Sequence, residues 1–146
     1  MSGGMATKKL KLSFDGKVFY ADMELDKAPK TCAAIEAACP FQSIWLSAKV
    51  CDNEAVFRAP PSCIADEMEN PVFSTPGDII FWGIRQVICL FYDDMIALNT
   101  GNCFAKMCLE ETMRFAVEGR KMWAQPGSIV TVEVVETDDK EVPAHG

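Results

Sequence analysis

The sequence predicts a mainly β domain, a closed barrel or a sandwich of about eight strands with one early and one late helix. Three observations carry this. Apolar residues alternate on both sides of Asp15-Gly16; two near-continuous apolar runs stand at 79–82 and 87–92; and 129–135 is rich in β-branched residues. The 146 residues fit one domain.

Leu10, Leu12 and Phe14 alternate with polar residues, the period of a half-buried strand. Asp15-Gly16 is a strong two-residue hairpin turn. A return strand over 17–25 then sets Leu12 opposite Phe19 and Leu10 opposite Ala21. Pro29 suits a first helical turn and Pro40 stops the helix, with Cys32, Ile35 and Cys39 on one face. Ile44, Leu46, Ala48 and Val50 alternate with Trp45, Ser47 and Lys49, predicting a strand whose first set faces the core. A turn at Asp52-Asn53 would pair Val50 with Ala55 and Ala48 with Phe57, and leave Lys49 on the face away from the core.

Residues 59–71 read as a loop, opened by Pro60-Pro61 and made acidic by Asp66, Glu67 and Glu69. Thr75-Pro76-Gly77-Asp78 has Pro and Gly at type II turn positions. The two apolar runs suit strands buried on both faces, joined by 83–86. A looser connection over 93–101 leads to a short strand at 104–107. Residues 109–124 suit a helix with Leu109, Met113, Ala116 and Val117 along one face. Gly119 weakens it by about 1 kcal/mol relative to Ala. Pro126-Gly127 turns the chain into the last strand. The expected organisation is a disordered leader over 1–6, the domain over 7–137 and a flexible acidic tail over 138–146.

Composition narrows the chemistry. A net charge of −7 repels phosphate backbones and argues against nucleic-acid binding. Arg85-Gln86 and Asp93-Asp94 break the longest apolar stretches, so none approaches the ~20 residues of a membrane span. The first residues lack an apolar secretory core, which points to the cytoplasm. Seven cysteines without a CxxC pair read as reduced thiols. The single histidine, His145, lies in the tail. Unless that tail folds back, an ordered pocket has neither a histidine-based zinc site nor a Ser-His or Cys-His pair. No metal and no cofactor is expected.

The stretch Ala28-Pro29-Lys30-Thr31-Cys32 resembles the cyclophilin element leading from the second strand into the first helix. Phe104-Ala105-Lys106-Met107, followed by a helix and a β-branched strand, resembles the cyclophilin C-terminal pattern. Asn53-Glu54-Ala55, Pro76-Gly77-Asp78 and Gly101-Asn102-Cys103-Phe104-Ala105 are similar to motifs of a bacterial family of short cyclophilin-like proteins with no established activity. The resemblance covers most of residues 8–136 and implies a closed cyclophilin-like β-barrel of about eight strands with two helices. The Phe-His-Arg-like strand, the glutamine-glycine-rich loop and the pocket histidine of the true isomerases are missing. Ser47-Ala48-Lys49 stands in the arginine's place, and Cys103 where the smaller family often has histidine.

The candidate ligand-binding residues are Lys49, Glu54, Trp82, Arg85, Tyr92 and Cys103. Lys49 would hold a carboxylate or phosphate if its face lines a groove; otherwise it is a solvated strand lysine or a partner of Glu54. Arg85, beside Trp82, would clamp an anion between Trp82 and Tyr92, or else sit in water in a hairpin loop. A reactive thiol at Cys103 or Cys108 needs a nearby cation or helix N-terminus. Trp45, Trp82, Tyr92 and Trp123 form either a stacking platform for a ring-shaped ligand or part of the core or a subunit interface. The expected function is a small-molecule binding module for an anionic or heterocyclic ligand, lacking the prolyl isomerase residues. The alternative is a peptidyl-prolyl isomerase or a small-molecule isomerase or hydrolase. A homodimer through the two apolar strands and Trp123 is a further expectation.

Overall fold

The computed structural model describes residues 7–137. The expected leader over 1–6 and tail over 138–146, with His145, lie outside the described residues. The elements are β1 (Thr7–Phe14), β2 (Lys17–Met23), α1 (Pro29–Ala38), β3 (Phe41–Ile44), β4 (Leu46–Ser47), β5 (Asp52–Arg58), β6 (Pro71–Val72), β7 (Asp78–Trp82), β8 (Val87–Met95), β9 (Gly101–Lys106), α2 (Leu109–Ala124) and β10 (Ile129–Thr137).

The closed barrel is corrected. The ten strands form one open antiparallel sheet in the order β3-β10-β1-β2-β9-β7-β8-β5-β4, with β6 on β9. Its edges, β3 and β4, are consecutive in the chain with Trp45 between them, so the sheet curls, yet no ladder joins the edges among the described residues. The backbone at that seam is engaged elsewhere. The Trp45 N–H donates to the Ser128 carbonyl at 2.9 Å, and the Trp45 carbonyl accepts from the Gly127 N–H at 2.8 Å. Closure depends on whether distant edges pair, which strand periodicity does not encode.

The β1–β2 hairpin has the expected register, Leu12 opposite Phe19 and Leu10 opposite Ala21. The 44–50 segment does not. Trp45 is fully buried, whereas Ile44 and Leu46 are 52% and 51% exposed. With a side-chain period of two, burying the largest residue turns its neighbours outward. Trp45 packs edge-on against Phe14 and Phe57 and tilted against Phe115, at centroid distances of 5.5, 5.0 and 5.4 Å. The second hairpin is also shifted. Leu46 pairs with Val56 and Ser47 with Ala55, while Lys49–Cys51 form a 3-10 turn.

Helix α2 spans the residues expected of it, but its face is rotated. Of the expected face Ala116 is buried, Phe115 joins it in the core, and Leu109, Met113 and Val117 are exposed. Glu111 and Glu118 are carried inward with it and pair with Arg114 and with Lys17 and Lys121, respectively. Gly77, with φ of +100°, occupies the turn before β7, where an added Cβ would lie 2.9 Å from the Met107 carbonyl oxygen.

Helix α1 lacks a cap of its own, since Ala28 has no side-chain acceptor. The acidic loop supplies one. Glu69 Oε1 accepts from the Thr31 N–H at 2.7 Å and the Thr31 hydroxyl at 2.8 Å, and Oε2 accepts from the Lys30 N–H at 3.1 Å. These are amides that a helix start leaves open. Burial acts against the Glu69 carboxylate, but the Thr31 and Lys30 donors outweigh it and hold its pKa below the ordinary glutamate value.

Among the described residues, no helix is long and apolar enough to cross a membrane.

Candidate ligand-binding pocket

Strands β5, β7 and β8 each have two different faces, set by alternation. Ala55 and Phe57, Ile79 and Phe81, and Ile88, Leu90 and Tyr92 enter the main core. The intervening residues Glu54, Val56 and Arg58, Ile80 and Trp82, and Val87, Cys89 and Phe91 line a pocket of about 510 Å³ on the other face. The pairings Glu54 with Phe91, Val56 with Cys89 and Arg58 with Val87 place them side by side. The connection from β8 to β9 contributes Leu98 and Asn99, and the 3-10 turn contributes Cys51. The apolar runs thus contribute to two clusters, the main core on one face and Ile80, Cys89 and Phe91 with Cys103 on the pocket face.

Glu54 is the deep polar group of the pocket, only 6% exposed. Asp52, with φ of 66°, and a register shift between Asp52 and Glu54 begin β5 with a bulge. Beyond it Glu54 projects to the same face as Val56 and Arg58. Burial raises the Glu54 pKa above the ordinary glutamate value, partly offset by hydrogen bonding from the Cys89 and Cys51 thiols. Among the described residues Glu54 has no ion-pair partner. The thiols are poor nucleophiles here. Burial pushes both upward, Cys89 far above the ordinary thiol range.

Of the residues singled out from the sequence, the structure brings Glu54, Trp82 and Arg85 together on this pocket. Trp82 is 41% exposed and presents ring surface at the mouth. Arg85 lies in the β7–β8 turn, where its N–H donates to the Trp82 carbonyl at 3.2 Å. Lys49 sits on the 3-10 turn with its ammonium 4.9 Å from the Trp123 ring centroid, outside the pocket lining. Tyr92 belongs to the core face, where its hydroxyl donates to the Gly119 carbonyl at 3.1 Å. Cys103 is fully buried in the second cluster, and burial raises its thiol to about 11. Cys108 instead caps α2, accepting from the Glu111 N–H at 3.5 Å.

Arg58 and the two pocket thiols went unmarked in the sequence reading. The signal for Arg58 is the alternation of β5, because Ala55 and Phe57 on the core face put residues 54, 56 and 58 opposite them. Neither Arg58 nor Arg85 has a carboxylate partner among the described residues. No group of three or more His, Cys, Asp or Glu side chains among the described residues could hold a metal ion.

No family model and no curated protein sequence matches the chain. Solved structures do. The structure of McbB in complex with tryptophan is similar with a TM-score of 0.75 and 16% identity, over 92% of this chain and 46% of that one. The solution structure of the hypothetical protein AF2241 from Archaeoglobus fulgidus is similar with a TM-score of 0.64 and 21% identity, over 90% of this chain and 98% of that one. The chain shares their fold. It spans about half the length of the McbB chain, and at these identities the likeness extends to the fold alone.

Proposed function

We propose that the chain is a small-molecule binding module whose ligand, heterocyclic or anionic, occupies the pocket on β5, β7 and β8. The observation that carries this is the arrangement of the pocket. Its volume of about 510 Å³ is walled by Val56, Ile80, Val87 and Phe91, with one buried carboxyl and two exposed arginines that have no carboxylate partner among the described residues. An apolar concavity with a few convergent polar groups is the usual form of a small-molecule site. Trp82 offers a stacking surface for a planar ring. That McbB, a distant neighbour in fold, has been seen in complex with tryptophan is compatible with this reading. The finer kinship, to cyclophilins through Ala28 to Cys32 and Phe104 to Met107 and to the short bacterial family through Asn53 to Ala55, Pro76 to Asp78 and Gly101 to Ala105, belongs to the same proposal. It concerns the scaffold and supplies no isomerase residues.

The test is a thermal-shift screen of the full chain against metabolites, followed by calorimetry with Arg58→Ala and Arg85→Ala. For an anionic hit, loss of a charge-assisted contact should weaken binding by about tenfold or more. Trp82→Ala should weaken a planar hit. A hit whose affinity survives all three substitutions contradicts the placement.

A further inference from the structure

Glu54 is an unusual residue to find at the base of an apolar pocket. A buried carboxylate is costly unless paired, and Glu54 has no cation beside it among the described residues. The titratable or charged groups lining the same pocket are Cys51 from the 3-10 turn, Cys89 from β8, Arg58 from the end of β5 and Arg85 from the β7–β8 turn. Arg58 and Arg85 are exposed, and both thiols are held neutral by burial. Glu54 is thus the one carboxyl among the described residues that lines the pocket, and burial raises its pKa above the ordinary glutamate value. The pocket supplies apolar walls above it and no second carboxylate among its lining residues.

Such a carboxyl is completed by a ligand that shares a proton with it in a hydrogen bond. An anion fits poorly at this depth, because it would meet a like charge once Glu54 ionises. A hydrocarbon leaves the carboxyl without a partner. A ring nitrogen with a lone pair does neither. Resting on the ligand site proposed above, we infer that Glu54 selects a planar heterocycle bearing a basic ring nitrogen. Glu54 faces that nitrogen, and the outward edge of the ring lies toward Arg58 and Arg85. Below its midpoint, where Glu54 holds its proton, the O–H bond breaks, its electron pair stays on the carboxylate oxygen, and the nitrogen lone pair forms the new N–H bond. The carboxylate and the ring cation then neutralise each other within the pocket, and no further reagent is required. An anionic substituent on the outward edge would meet the rim arginines, so the preferred ligand is basic at one end and acidic at the other.

Benzimidazole and indene test this, since they share a bicyclic shape and only the first carries a basic nitrogen. Both are titrated into the full chain, with the methyl resonances of Val56, Ile80 and Val87 and the carboxyl carbon of Glu54 followed by NMR. Benzimidazole is expected to bind at least about tenfold more tightly than indene, the scale of one charge-assisted hydrogen bond. At a pH below the Glu54 midpoint measured in the same sample, it should also move the Glu54 carboxyl carbon toward the carboxylate position. Glu54→Gln should bring benzimidazole down to the level of indene. Equal affinities in the wild type, a Glu54 resonance that does not move, or a preference that persists in Glu54→Gln each overturns the inference. Two of these readings need no variant, so a poorly folded Glu54→Gln does not protect it. If neither compound shifts the three methyl groups, the pocket assignment fails instead.

Discussion

Glu54 and Glu69 are the same residue in opposite settings. Glu69 lies in an irregular loop, yet three donors from α1 satisfy it and lower its pKa. Glu54 lies in a regular strand, yet it faces apolar walls and two weakly donating thiols, and its pKa is raised. The first carboxylate completes a helix. The second lacks a comparable set of partners among the described residues. A charged group that the fold fully satisfies is structural, and one that the fold buries without satisfying is the better candidate for recognising something else.

The largest effect is expected at Glu69. Glu69→Ala should destabilise the domain by about 1–2 kcal/mol, the usual range for losing a helix cap, as measured by urea unfolding. The pH dependence has a definite sign. The Glu69 pKa is lowered on folding, so its contribution is complete above the ordinary glutamate value of 4.5 and is lost as pH falls through the lower folded value. A Glu69→Ala variant as stable as the wild type would mean that the cap contributes nothing.

Glu54 should respond in the opposite direction and by less. Its pKa is raised on folding, so the native state holds the proton longer than the unfolded chain does. Wild-type stability from this group therefore falls as pH rises from 4.5 through the folded value, and stays low above it. Glu54→Gln removes that loss. It should stabilise the protein by about 1 kcal/mol at neutral pH, as functional-site substitutions often do, and bring no gain below the window. Destabilisation at neutral pH would show that the carboxylate is satisfied after all. The smallest effect belongs to the rim. Arg85→Ala should change stability by less than about 0.5 kcal/mol, since the arginine is exposed and has no carboxylate partner among the described residues.

Much of this scaffold was legible where local signals agree. At β1–β2, turn chemistry and alternation select the same register, and the structure has it. Helix α2 was legible in its bounds but not in its face. Leu109, Met113 and Val117 make a plausible apolar stripe, but the core has room for Phe115 beside Phe14 and Phe19. Trp45 shows the same effect in a strand, where one large ring decides which side is inward. Closure of the sheet and the cap on α1 were not legible. Both join distant residues, and Glu69 reaches Thr31 across 38 positions of sequence.

The pocket was half legible. Glu54, Trp82 and Arg85 were marked by their chemistry and share it. Strand parity separates Tyr92 from them, because β8 sends residues 88, 90 and 92 to the core and 87, 89 and 91 to the pocket. Lys49 lost its place when the expected strand became a 3-10 turn.

The most direct measurement is an NMR titration of the carboxyl carbons of Glu54 and Glu69 in one sample of the full chain. The account predicts a Glu54 midpoint above the ordinary glutamate value and a Glu69 midpoint below it. Coincident midpoints, or the reverse order, would contradict the distinction between a carboxylate the fold satisfies and one it leaves for a ligand.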